Sequence, residues 1–178
     1  MYEKGINREN IGEYPKALHY LFFALSLKGS SIKTYKAIAR VYRKNRQYLN
    51  GLDFYSKALN IHPQNAELYA LKADLHRKNK QFDLSIKHYD QAIKYDCNNV
   101  QYYINRAQIK FLSDDVEGAI NDYSSAIKRD ENNSNLYSQR GFYYLLNNNF
   151  DEAKQDYKKA NELTPNNKHI KEILEIIS

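Results

Sequence analysis

Residues 100–133 hold two apolar stripes separated by polar breaks. Tyr103, Ala107 and the stem of Lys110 fall at helical spacing and predict a first helix. Ser113-Asp114-Asp115 interrupts it. Val116, Ala119, Ile120, Tyr123, Ala126 and Ile127 follow at steps of three and four and predict a second helix. The acidic residues 114, 115 and 117 are read as the start of that helix, where carboxylates oppose the N-terminal dipole. Asp130-Glu131-Asn132-Asn133 then forms a polar turn. The same turn reads His62-Pro63-Gln64-Asn65 and Thr164-Pro165-Asn166-Asn167 elsewhere, with a proline that cannot continue the helix before it.

The two-helix pattern recurs every 34 residues without an insertion. Tyr35, Tyr69, Tyr103 and Tyr137 form one row, and Tyr55, Tyr89, Tyr123 and Tyr157 another. Small residues hold three rows: Ala24, Ala58, Ala92, Ala126 and Ala160; Gly5, Ala39, Ala73, Ala107 and Gly141; Ala17, Gly51, Ser85, Ala119 and Ala153. Tyr14, Tyr48, Phe82, Val116 and Phe150 make a sixth. Such a period is the mark of a stacked array. Small residues let paired helices approach, and tyrosines fill the space beside them.

These rows, the period and the Pro-x-Asn ending resemble the tetratricopeptide repeat (TPR) family across essentially the whole chain. The resemblance implies an all-α fold, a right-handed superhelical solenoid of antiparallel helix pairs. The units would be 1–31, 32–65, 66–99, 100–133 and 134–167. Residues 168–178 would cap the array with Ile170, Ile173, Leu174 and Ile177 on one face. The frame departs from the family at Arg8, His76 and Lys110, where a large first-helix residue is usual, and at Gly29, Cys97 and Glu131, where the turn proline is usual. Both ends read as cut, so the chain is expected to be part of a longer one. Tyr20, Phe22 and Phe23 would then mark either a missing helix or a self-association surface.

Chemistry adds little. Cys97 is the only cysteine, which excludes an intrachain disulfide and a multi-cysteine metal site. Histidines 19, 62, 76, 88 and 169 occupy different places in the frame and lack metal-ligand spacing, and His76 reads as a packed core histidine. Lys28-Gly29-Ser30 lacks the upstream glycine and strand of a phosphate-binding loop. No catalytic constellation, metal site or cofactor is expected. No apolar run is long enough to span a bilayer, and no signal pattern opens the chain, so a cytoplasmic location is the default.

Charge is more informative. The chain has 27 Lys+Arg against 21 Asp+Glu, a net +6. Residues 32–65 alone carry seven cations (Lys33, Lys36, Arg40, Arg43, Lys44, Arg46 and Lys57) against Asp53. At about 100° per residue, Lys33, Lys36, Arg40, Arg43 and Lys44 form a stripe nearly opposite the core residues Tyr35, Ile38, Ala39 and Tyr42. In the family the first helix of each pair lines a concave groove, so the stripe is expected there, continued by Arg77 and Lys78 beside Glu67 and Asp74. Further along, the same places hold Gln101, Ile104, Asn105, Gln108, Phe111 and Leu112, then Asn135, Ser138, Gln139, Phe142, Leu145 and Leu146.

The expected groove is basic at one end and apolar with amides at the other. It suits a peptide with carboxylates and an apolar anchor, bound by a non-enzymatic adaptor. The family's best-known ligand mode clamps the terminal carboxylate of a heat-shock chaperone. Here Lys36 matches its first lysine, but Arg40, Leu71, Gln101 and Asn105 replace the rest, so that activity is not carried over. Nucleic-acid binding through the basic stripe is the alternative, opposed by the commitment of most tyrosines to the core and by the acidic fourth unit. A self-associating or targeting module of a larger protein is a third reading.

Overall fold

The computed structural model describes residues 1–28 and 31–177. The turn positions Gly29 and Ser30 lie outside them, as does Ser178. The described residues form helices and turns only, in two compact units, Met1–Tyr95 and Asp96–Ser178. The first contains α1 (Tyr2–Asn10), α2 (Tyr14–Lys28), α3 (Ile32–Lys44), α4 (Tyr48–Ile61), α5 (Ala66–Lys78) and α6 (Phe82–Tyr95). The second contains α7 (Val100–Leu112), α8 (Val116–Ile127), α9 (Ser134–Leu146), α10 (Phe150–Leu163) and α11 (Lys168–Ile176). Within each unit every odd helix pairs with the next even one, and α11 packs on α10. The described helices therefore fit five pairs and a terminal helix.

Local chemistry sets the helix starts. Asn65 Oδ1 accepts from Leu68 N at 2.9 Å, Asp115 Oδ1 from Gly118 N at 2.8 Å, and Asn167 Oδ1 from Ile170 N at 3.3 Å. Each answers an amide that the first turn leaves unpaired. The first helix of each pair is left through a residue with left-handed backbone: Gly12 at φ 79°, Arg46 at 57°, Lys80 at 58°, Asp114 at 62° and Asn148 at 59°. These positions are one repeat apart, yet only the first is glycine. Each non-glycine residue there carries steric strain of about 1 kcal/mol, and the helix pair on either side holds it in place.

The tyrosine rows have distinct jobs. Tyr55, Tyr89, Tyr123 and Tyr157 are at most 2% exposed and fill the space between paired helices. Burying an aromatic ring of this size is worth roughly 2–3 kcal/mol. Two of the other row latch turns. Tyr69 Oη donates to the Pro63 carbonyl at 3.2 Å and Tyr103 Oη to the Cys97 carbonyl at 3.1 Å. A carbonyl is all the latch needs, so cysteine serves where proline is usual.

The first helices bury more than the single predicted stripe. In α3, Thr34, Ala37 and Val41 are buried along with Ile38 and Ala39. A helix inside a stack meets the preceding pair as well as its own partner. Glycines mark the closest approaches: a Cβ on Gly5 would lie 2.7 Å from Leu21 Cγ.

Candidate functional site

In the first unit the basic stripe of α3 is present, but its charges are answered. Glu9 on α1 has a fully buried side chain. It accepts Arg40 through both oxygens, at 2.6 and 2.7 Å, and pairs with Lys44 at 2.9 Å. Burial pushes the Glu9 carboxyl up, but the hydrogen bonds from Arg40 and Lys44 outweigh it and hold it below the ordinary carboxylate range. From the other side, Glu67 on α5 pairs with Lys36, and Asp74 pairs with Arg43 at 3.6 Å and with Arg77 at 2.6 Å. Lys33 lies over the Tyr2 ring, 4.6 Å from its centre. Lys78 is exposed and has no ion-pair partner among the described residues.

The sequence sets Glu67 and Asp74 beside Arg77 and Lys78; in the structure they also reach Lys36 and Arg43, and Glu9 is a partner the sequence did not single out. Glu9–Arg40, Lys36–Glu67 and Arg43–Asp74 are all 31 residues apart, one repeat less one three-residue helical step. Opposite charges at that spacing are the signal that would have revealed them. Across the face shared by α1, α3 and α5, the seven predicted cations meet three carboxylates, Glu9, Glu67 and Asp74. A surplus of positive charge remains.

In the second unit the predicted residues divide. Phe142 is 42% exposed, with Leu112 and Leu146 similarly open. Phe111 and Phe142 both set an edge against Tyr143, with ring centres 5.1 and 5.4 Å apart. Leu145 instead packs with Tyr157, Ala160 and Ile170 under α11. Gln101 donates to Asn105 at 2.7 Å, and Gln108 hydrogen-bonds Tyr123. Ile104 is half-buried. Of the aromatic group on α2, Phe22 and Phe23 are 39% and 43% exposed, and Phe22 also sets an edge against Phe54, 5.6 Å between centres.

Ion pairs also close within single repeats. Arg106 reaches both oxygens of Asp122, at 2.9 and 2.5 Å, and Lys110 joins at 3.1 Å. Arg140 reaches both oxygens of Asp156 at 2.7 Å. The hydrogen bonds to Asp156 push the Arg140 guanidinium up, against the opposing effect of burial. Among the described residues, no three His, Cys, Asp or Glu side chains come together as metal ligands, and no helix is long and apolar enough to cross a membrane.

Family models described as tetratricopeptide repeat match residues 66–99, 100–133 and 134–167, an unbroken stretch of more than half the sequence. The chain belongs to the tetratricopeptide repeat family. TPR proteins also appear among similar solved structures. The C-terminal part of a TPR repeat-containing protein from Cytophaga hutchinsonii has a TM-score of 0.83 at 16% identity, over 99% of this chain and 70% of that one. YrrB, described as a TPR protein with an unusual peptide-binding site, gives 0.72 at 18% identity, over 96% and 88%. The first TPR of Spaghetti (RPAP3), bound to the HSP90 peptide SRMEEVD, gives 0.56 at 28% identity, over 64% and 90%. No curated protein matches the sequence. As a TPR fold, the chain is a scaffold for protein–protein interaction.

Proposed function

We propose that this TPR chain is a non-enzymatic adaptor that holds an extended acidic peptide of a partner protein, with an apolar anchor, along its first-helix face. The observation that carries the reading is the excess of cations over carboxylates on the α1–α3–α5 face, which survives the internal pairing. Glu9, Glu67 and Asp74 hold the arginines and lysines in fixed poses, so a ligand carboxylate meets a partly ordered field. Exposed Phe142, Leu112 and Leu146 give the second unit an apolar surface of its own. The acidic peptide carried by the Spaghetti TPR supports the ligand class.

The pairing dictates which residues test the idea. Reversing Arg40 would set a second carboxylate against buried Glu9 and unfold the repeat. Lys33 and Lys78 bear no such load. The double variant Lys33→Glu/Lys78→Glu should bind a fluorescent Glu-rich peptide about tenfold more weakly than the wild type in 50 mM salt, with the gap closing as salt is raised. Equal affinity in an anisotropy titration would remove the face from consideration. Tighter binding of an RNA oligomer than of the peptide would favour nucleic acid instead.

A further inference from the structure

One place in the repeat recurs with changing chemistry, where the first helix meets the second. In residues 32–65 it holds Ile38, Tyr42 and Phe54, and Tyr42 stacks on Phe54 with ring centres 5.7 Å apart. In 100–133 it holds the Arg106–Lys110–Asp122 cluster, and in 134–167 Arg140, Tyr144 and Asp156. In 1–31 it holds Lys4, Arg8 and Tyr20, with Arg8 tied to Glu13 at 2.6 Å. The third repeat departs from all of these. It holds Lys72, His76 and His88. It has the cation of the two following repeats and lacks their carboxylate.

The three side chains form one cluster. The His76 and His88 rings are stacked with centres 5.0 Å apart and planes 17° apart. Tyr69 also stacks on His88, 6.2 Å away, and on Tyr95 at 5.5 Å. His76 Nδ1 donates to Gln81 Oε1 at 2.9 Å. Lys72 is half-buried with no ion-pair partner among the described residues, and no side chain there hydrogen-bonds His88. Buried side-chain atoms without a partner are, among the described residues, Arg43 Nε and Asn161 Oδ1. The free nitrogens of Lys72, His76 and His88 therefore reach solvent. Burial, and then the charge of Lys72, push the His88 ring down to about 4, and burial also lowers Lys72. The charged forms thus lack a counter-charge that the fold supplies one repeat further on.

We propose that Lys72, His76 and His88 receive one carboxylate from outside the chain, an aspartate or glutamate side chain of the bound peptide, standing where Asp122 and Asp156 stand in the repeats that follow. This deepens the acidic-peptide reading and rests on it for the source of the carboxylate. Lys72 provides the permanent charge. His88 provides an N–H donor on a preformed stack, while the N–H of His76 stays on Gln81.

The test uses the whole chain, isotopically labelled, and two probes: sodium acetate and an N-acetylated, C-amidated Leu-Glu-Glu-Glu-Leu peptide. Histidine ring resonances of His76 and His88 should shift saturably with both, at far lower concentration with the peptide. Lys72→Met should weaken peptide binding about tenfold, the loss expected for one charge-assisted contact. His88→Asp, which installs the acid of the following repeats, should weaken it at least as much while raising the thermal midpoint. His88→Phe, which copies Phe54, guards against misfolding and should weaken binding too.

If the peptide binds while both rings stay still, or binds His88→Asp as tightly as the wild type, the site is wrong and the acidic-peptide reading stands. If acetate moves the rings but the peptide binds nowhere, the carboxylate site holds and the peptide source is overturned. Silence from both probes overturns site and source together.

Discussion

His88 is held neutral by its burial first, then by the charges of Lys72 and His76, with Tyr69 stacked on its ring. The sign of the consequence is fixed. Its ring titrates near 6.5 in an unfolded chain and about 4 in the folded one. The native state binds fewer protons, so the contribution is whole above pH 6.5 and is lost as pH falls toward 4. The Glu9 carboxyl, held below its ordinary value, gives up its contribution only at lower pH. Thermal melts at pH 7 and pH 5 should therefore show a smaller drop for His88→Phe than for the wild type. Parallel drops would mean that His88 does not carry the acid sensitivity. Only part of this cluster was legible in the sequence: Lys72 and His76 stand four residues apart on one helix and His76 reads as a packed core histidine, but His88 is on the next helix, and only the crossing of α5 and α6 joins it to them. The cation stripe was legible because it lies on one helix, whereas its partners lie 31 residues away on neighbouring ones.

At the scale of the element, asparagine does two different jobs at equivalent places. Asn65 caps α5 with its side chain, whereas Asn133 turns its amide to Asp130 at 2.8 Å and makes no side-chain cap on α9. Asn65→Ala should cost about 1 kcal/mol in a urea titration. Asn133→Ala should cost less, and equal losses would show that the cap geometry is immaterial. The helices themselves were readable from period and stripe, because apolar residues at steps of three and four must face a partner. The second buried side of α3 was not, since Thr34 and Ala37 carry too little apolar signal. Nor was the left-handed exit of each first helix: Arg46 and Lys80 give no hint of it.

For the whole molecule, charge divides with the two units. Residues 1–95 hold 17 Lys+Arg against 8 Asp+Glu, a net +9, while 96–178 hold 10 against 13, a net −3. The overall +6 conceals this polarity. Polyglutamate should slow amide exchange within residues 1–95 and leave 96–178 at its free rate. The effect should fade in 1 M salt, where the screening length is about 3 Å. A phenylalanine-rich peptide without acidic residues, tested separately, should instead protect amides near Phe142. Uniform protection by plain polyglutamate would contradict both assignments. The boundary at Tyr95 escaped the sequence reading because the 34-residue frame runs through it unbroken.

The row at Arg46, Lys80, Asp114 and Asn148 has a consequence for chirality. An L-residue sits there against its own preference, while a D-residue favours that same region of backbone space. At four evenly spaced points a mirror-image amino acid would suit the chain better than the encoded one. Peptide ligation could place a D-lysine at position 80 with the side chain's charge kept. The product would exit α5 with less strain, and it would present proteases with a peptide bond of the wrong hand at an exposed turn.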